Sequence, residues 1–181
     1  MDLGFLKDEI TFGLNRIYLM FPELGFPMTY LVSVNDLVLQ QCAGDMEKLD
    51  IPKWITWRAH PYFRSSQNTF FVDSDYTGEE NFNDHRLTSR TFEGFTVTYV
   101  ALQIAYLMGI SEAILIGVDH NFATKGPANS VVVSTGEDPN HFSGQYFGAG
   151  FKWQLPDLEG SERAYHLAKT AYEKAGRRVL D

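Results

Sequence analysis

Cysteine is almost absent: Cys42 is the single one in 181 residues, which excludes an internal disulfide and any four-cysteine zinc site and fits a reducing compartment. Cys42 itself reads as a buried helix residue rather than a nucleophile. Basic charge is also scarce, with 15 Lys and Arg against 23 Asp and Glu and a formal net charge of −8. No lysine or arginine run exists on which to build a counterion-release surface, so nucleic acid is excluded as the expected partner. No long apolar run is present either. The longest, Leu102 to Val118, is interrupted by Gln103, Ser111 and Glu112 and changes from helical to strand character midway, so it is not a membrane span. The start, Met1-Asp2-Leu3-Gly4, lacks the basic end and apolar core of a secretory signal. Cytoplasmic location is the expectation these absences leave. The Gly-x-Ser-x-Gly elbow and the His-Glu-x-x-His helix are missing too, and serine hydrolase and zincin chemistry drop out with them.

What is there suffices for a core: 44% hydrophobic residues and 14% aromatics, in a chain whose length predicts one domain over 1–181. Short apolar runs bounded by Pro, Gly and Asn predict strands at Ile10–Leu14, Met28–Val34, Lys53–Arg58 and, more weakly, Thr69–Val72. A helix is expected over Leu37–Leu49, capped by Asn35 and Asp36, because a short side-chain oxygen accepts the free N–H groups of a first turn. Phe95–Leu107 carries apolar residues at helical spacing. Ala113–Val118 is nearly all apolar and predicts a central parallel strand covered on both faces. Leu158–Ala175 predicts an amphipathic helix with Gly176 at its C-cap, and Arg177–Leu180 a last strand. Two polar segments, 73–92 and 121–156, are expected to be lids or active-site loops. Strands alternating with helices predict an α/β fold, a three-layer, Rossmann-like, mostly parallel sheet with helices on both faces.

In such sheets ligands bind beyond the carboxyl ends of strands. Asp119 and His120, just past Val118, can orient a ribose or sugar hydroxyl or hold a metal; the plain alternative is that Asp119 caps the following loop. His141, in Asp138-Pro139-Asn140-His141-Phe142, has an imidazole suited to take a proton from an attacking hydroxyl, although a lone loop histidine is more often simply solvated. Asp73-Ser74-Asp75 offers two carboxylates that can share a divalent ion, yet such a pair arises by chance in any acidic loop and reads as structural. Gly144 to Gly150 contains three glycines but neither the Lys-Ser/Thr of a P-loop nor a preceding strand, so it reads as a flexible loop carrying Tyr146 and Phe147. Trp54, Trp57, Tyr62, Phe63, Phe70 and Phe71 can stack on a sugar or a base, but alternating strand residues more often fill a core.

Taken together, Thr11–Tyr18, Tyr30–Asn35, Thr96–His120 and Pro139–Gly144 resemble the bacterial sialyltransferases of the Campylobacter type. They also resemble a broader set that includes domains of motility accessory factors and the archaeal hydroxymethylpterin diphosphokinase. The resemblance implies that Asn15 and Asn35 contact a nucleotide and that His141 is the general base. Thr96 matches a threonine beside a nucleotide-contacting serine, which is Val97 here, with Thr98 as the neighbour that substitutes. The tyrosine that follows the strand-end aspartate in those enzymes is Asn121 here, and Tyr146 is the replacement to examine. The family's Gly-Asn-Gly-Pro-Ser-Leu turn would fall just before this chain, and relatives continue past its end, so truncation at both ends is expected.

The function expected from this resemblance is a glycosyltransferase-like enzyme using a nucleotide-activated sugar and a glycan or small-molecule acceptor, in polysaccharide or flagellin modification, without a metal. One rival is a diphosphokinase moving pyrophosphate from ATP to a pterin-like alcohol, with magnesium on Asp119, Asp73 and Asp75. Another is a non-catalytic nucleotide- or sugar-binding module. Whether the chain forms a homo-oligomer stays open at this level.

Overall fold

A computed structural model describes residues 3–64, 66–77, 80–118 and 122–181. In chain order the elements are β1 (Phe12–Leu14), α1 (Phe21–Leu24), β2 (Tyr30–Ser33), α2 (Asp36–Glu47), β3 (Lys53–Thr56), β4 (Thr69–Val72), β5 (Ser74–Asp75) and β6 (Thr91–Phe92). Then come α3 (Val97–Leu107), β7 (Glu112–Ile114), β8 (Val131–Val133), β9 (Lys152–Gln154), α4 (Leu158–Lys174) and β10 (Arg178–Leu180). Short 3-10 turns occupy Gly4–Asp8, Ile17–Met20 and Trp57–Tyr62. The class is α/β, as the strand and helix periodicities predict. Contacts gather the chain into two compact units, residues 1–71 with 131–154, and residues 72–130 with 155–181.

The first unit is built on a four-stranded parallel sheet in the order β1-β2-β3-β4. Register runs Leu14↔Val32 and Ser33↔Ile55, so neighbouring strands end at the same edge. Asn35 starts α2 as expected: its Oδ1 accepts the Val38 N–H at 3.1 Å, satisfying one of the donors a first turn leaves open. Val38, Leu39, Cys42, Ala43 and Met46 form the buried stripe of that helix. Burial pushes the Cys42 thiol pKa up, which fits an inert core thiol. At the other end, the buried Lys53 donates from Nζ to the carbonyls of Leu49 and Ile51 at 2.7 and 2.9 Å, satisfying two acceptors just beyond the helix. The expected third strand stops at Thr56 because Trp57 opens a 3-10 turn. Trp57, Tyr62 and Phe70 are exposed rather than core, and Trp57 stacks on His60 while Trp54 stacks on Phe70.

The second unit packs α3 on α4 through Tyr99, Leu102, Ala164, Ala168 and Tyr172. Asp157 caps α4 by accepting the Gly160 N–H at 2.8 Å, and Gly176 closes it at φ +71°, the left-handed conformation that a C-cap glycine supplies without strain. One expectation fails here. The strand predicted over Ala113–Val118 is only Glu112–Ile114, paired on one side with β10, and Ile114 is 61% exposed. A two-stranded sheet has too little cover to bury both faces, and Gly117 at φ +74° leaves extended geometry. Within segment 73–92, Asn83 and Phe92 are bonded to α3. Gln103, buried in α3, accepts the N–H groups of Asn83 and Phe92 at 3.1 and 3.0 Å and donates to the Phe92 carbonyl at 2.7 Å. Among the described residues no helix is long and apolar enough to cross a membrane.

Candidate functional site

Asn15 follows β1 and Asn35 follows β2, so parallel pairing brings both to one edge of the first unit's sheet. Asn15 adopts φ +48°, a left-handed conformation that asparagine tolerates. Its backbone N–H donates to the Val32 carbonyl at 2.9 Å, and its Oδ1 accepts the Ser33 hydroxyl at 2.9 Å. Asn35 spends Oδ1 on the helix cap, while Nδ2 reaches Gln154 Oε1 at 3.5 Å.

The loop between β8 and β9 completes this edge, and Asp138 organises it. Its backbone N–H closes the loop on the Gly144 carbonyl at 2.9 Å. Its Oδ1 accepts the Asn140 N–H at 2.8 Å, the Asx turn that Asp-Pro-Asn favours. Its Oδ2 accepts the Phe147 N–H at 3.1 Å and meets His141 Nδ1 at 2.7 Å. Two acceptors cannot face one another at that distance, so a proton lies on Nδ1, and Nε2 is the nitrogen that accepts when the ring is neutral. Asp138 is thus a buried carboxylate receiving three N–H groups, and it fixes the tautomer that a general base needs.

His141 stacks on Tyr146, ring centroids 3.9 Å apart and planes 5° from parallel, with Phe147 edge-on at 4.9 Å. Tyr146 and Phe147 are buried, and Phe147 continues onto Phe151 and Trp153. The glycine-containing stretch therefore carries a packed aromatic cluster, not the flexible loop expected from composition. Burial pushes the Tyr146 phenol pKa up to about 12, with the Arg16 backbone, its charge and the Asn15 amide pulling the other way. The phenol accepts the Arg16 N–H at 3.4 Å. Tyr146 is the platform beneath the imidazole.

Beside this cluster lies a cleft of about 580 Å³, walled by Arg16, Gln41, Gly136, Glu137, Gln145 and residues 148–151. Gln41 anchors α2 to β9, donating to the Lys152 carbonyl at 2.7 Å and accepting the Lys152 N–H at 2.9 Å. Arg16 Nη1 donates to the carbonyls of Gln145, at 3.0 Å, and Tyr146, and the guanidinium lies 4.8 Å from the Phe151 ring centroid. Arg16 and Asp138 had no signal of their own in the sequence beyond adjacency to Asn15 and a spacing of three from His141.

Of the other expected residues, Thr96 and Thr98 belong to the second unit. Thr96 is the N-cap of α3, accepting the Thr98 N–H at 3.3 Å, and its hydroxyl also meets Tyr165 Oη at 3.4 Å. Asp119, His120 and Asn121 lie outside the described residues. Asp73 and Asp75 both meet the Arg90 guanidinium, at 3.1 and 3.3 Å, which supplies positive charge to the pair. Hydrogen bonds from Thr77, with Arg90 nearby, hold the Asp75 carboxyl below its ordinary pKa. Among the described residues no three His, Cys, Asp or Glu side chains gather into a metal-binding group. Comparison with known proteins finds no match to a family model, to a curated protein or to a solved structure.

Proposed function

We propose that the chain is a glycosyltransferase-like enzyme, related to the bacterial sialyltransferases, that transfers a sugar from a nucleotide donor to an acceptor hydroxyl. The observation that carries this reading is the Asp138–His141 pair, a buried carboxylate 2.7 Å from Nδ1 of a partly exposed imidazole stacked on a buried ring. In the reaction, Nε2 takes the acceptor O–H proton as its oxygen bonds to the anomeric carbon. The bond from that carbon to the phosphate oxygen breaks, and the nucleotide leaves with the electron pair. Inversion at the sugar carbon follows from a single displacement. Asp138 stabilises the imidazolium that forms, and Asn15 and Asn35 hold the nucleotide at the strand ends.

The test is consumption of CMP- and UDP-sugars with a panel of glycan acceptors, alongside thermal shifts by CMP, UDP and ATP with and without magnesium. A pyrimidine nucleotide should raise the transition temperature, and His141→Ala should abolish turnover while leaving that shift intact. Full turnover by His141→Ala would sink the mechanism. A response to ATP only with magnesium would favour the diphosphokinase, and binding without turnover the non-catalytic module.

A further inference from the structure

Arg16 is the unexplained charge of the first unit. Arg58, Arg90, Arg163 and Arg178 each meet a carboxylate, whereas Arg16 meets none among the described residues. A guanidinium carries five N–H donors. Nη1 of Arg16 serves two backbone carbonyls, and Nε is buried without an acceptor. Removing a cation partly from water without a counter-charge costs several kcal/mol in general, and in a chain of net charge −8 carboxylates were plentiful to pair it. Nη2 donates to no acceptor among the described residues, and Arg16 lines the 580 Å³ cleft.

The rest of that wall suits an anion. Gly148 contributes no side chain, and the backbone N–H groups of Gly148 and Ala149 donate to no acceptor among the described residues. Glu137 is the wall's one carboxylate, and its stem packs over Gly144 rather than pairing with Arg16. The cleft adjoins the proposed base along the chain, since Glu137 precedes Asp138 and Gln145 precedes the Tyr146 platform.

Resting on the transferase reading, we infer that Arg16 and the Gly148–Ala149 backbone form a phosphate subsite that holds the donor's phosphate beside His141. Arg16 neutralises the charge that grows on the leaving phosphate oxygen as the glycosidic bond breaks, and its planar fork suits two phosphate oxygens at once.

The test is titration of the protein, in phosphate-free buffer, with inorganic phosphate, pyrophosphate, CMP, UDP and the nucleosides cytidine and uridine. Phosphate-bearing ligands should bind at least about tenfold tighter than the nucleosides. Arg16→Gln should lose that advantage, and Glu137→Gln, which removes a repelling charge, should strengthen pyrophosphate binding severalfold. Because Arg16→Gln also releases two loop carbonyls and can unfold the loop, Gly148→Asp serves as the second variant. A side chain there meets only the Gln145 side-chain oxygen closely, at 3.3 Å, and Arg16 keeps its contacts, so loss of pyrophosphate binding with an unchanged transition temperature supports the subsite. Equal pyrophosphate binding by wild type, a folded Arg16→Gln and Gly148→Asp overturns it, as does nucleoside binding that phosphate does not improve. Either failure leaves the transferase reading to be judged by His141→Ala turnover.

Discussion

Replacing Asp138 by Asn tests the centre of the site with an isosteric change. Oδ2 receives two N–H groups, from Phe147 and His141, and Oδ1 receives one, from Asn140. The amide will turn its oxygen to the two-donor position and leave its NH₂ facing the Asn140 N–H, donor against donor. One hydrogen bond is lost and two charge-assisted bonds become ordinary ones, a cost of roughly 2–4 kcal/mol of stability. The imidazole keeps its anchor and its tautomer, and what disappears is the negative charge that stabilises the imidazolium. Turnover should therefore fall by about 10²–10³ with little change in KM. Urea denaturation of wild type, Asp138→Asn, His141→Ala and the double variant should give a coupling energy of about 1.5–3 kcal/mol, with m unchanged. A coupling within error of zero, or full turnover in a stably folded Asp138→Asn protein, would falsify the claim that this carboxylate organises the imidazole.

Tyr146→Phe should cost about 1–2 kcal/mol and keep turnover, because it removes the hydroxyl that meets the Arg16 N–H at 3.4 Å and the Asn15 amide. Tyr146→Ala, which deletes the platform under His141, should cost about 3–5 kcal/mol; both follow from denaturation midpoints, and inactive but stable Tyr146→Phe would restore a chemical role for the phenol. Gln103→Leu orphans the N–H groups of Asn83 and Phe92 and should cost about 2–5 kcal/mol. Amide exchange should rise over residues 80–92, and unchanged exchange there would mean that the segment is held by something else. Burial lowers the Lys53 pKa from its ordinary 10.5, so the unfolded chain binds more protons than the folded one between the two values, and wild-type stability gains with pH across that window. Lys53→Met lacks this gain. The stability of wild type relative to Lys53→Met should climb as the pH rises toward the ordinary lysine value of 10.5, and a flat difference would show that the amine is not desolvated by folding.

Local chemistry was legible where one stretch of chain decides the outcome. Asn35 announces α2 because its capping bond closes within three residues, and Gly176 ends α4 because its positive φ suits a residue without Cβ. The strands at β1 to β3 follow from apolar runs between turn residues. Long-range polar contacts were not legible. Segment 73–92 is polar and aperiodic, and one glutamine from a helix that reads as plain apolar spacing bonds it at Asn83 and Phe92. A buried amide with its partners 11 and 20 residues away leaves no local pattern.

The site divides along the same line. Asn15, Asn35 and His141 were marked by short neighbourhoods, and the first unit brings Asn15 and His141 together through Tyr146, on which the imidazole stacks and whose pKa the Asn15 amide influences. Arg16 carries no local mark because its partners, the carbonyls of Gln145 and Tyr146, lie 129 and 130 residues along the chain. A cation beside an asparagine reads as a solvated surface group until the fold leaves it without a carboxylate among the described residues. The glycines at 148 and 150 likewise read as slack, whereas three-dimensional packing makes them part of the wall of a cleft that Phe151, stacked on Phe147, also lines. The catalytic and anion-binding halves of the proposed site thus depend on one long-range event, the docking of the β8–β9 loop onto the β1 end. Variants that loosen that loop should therefore weaken imidazole positioning and phosphate binding together, while Gly148→Asp should separate them.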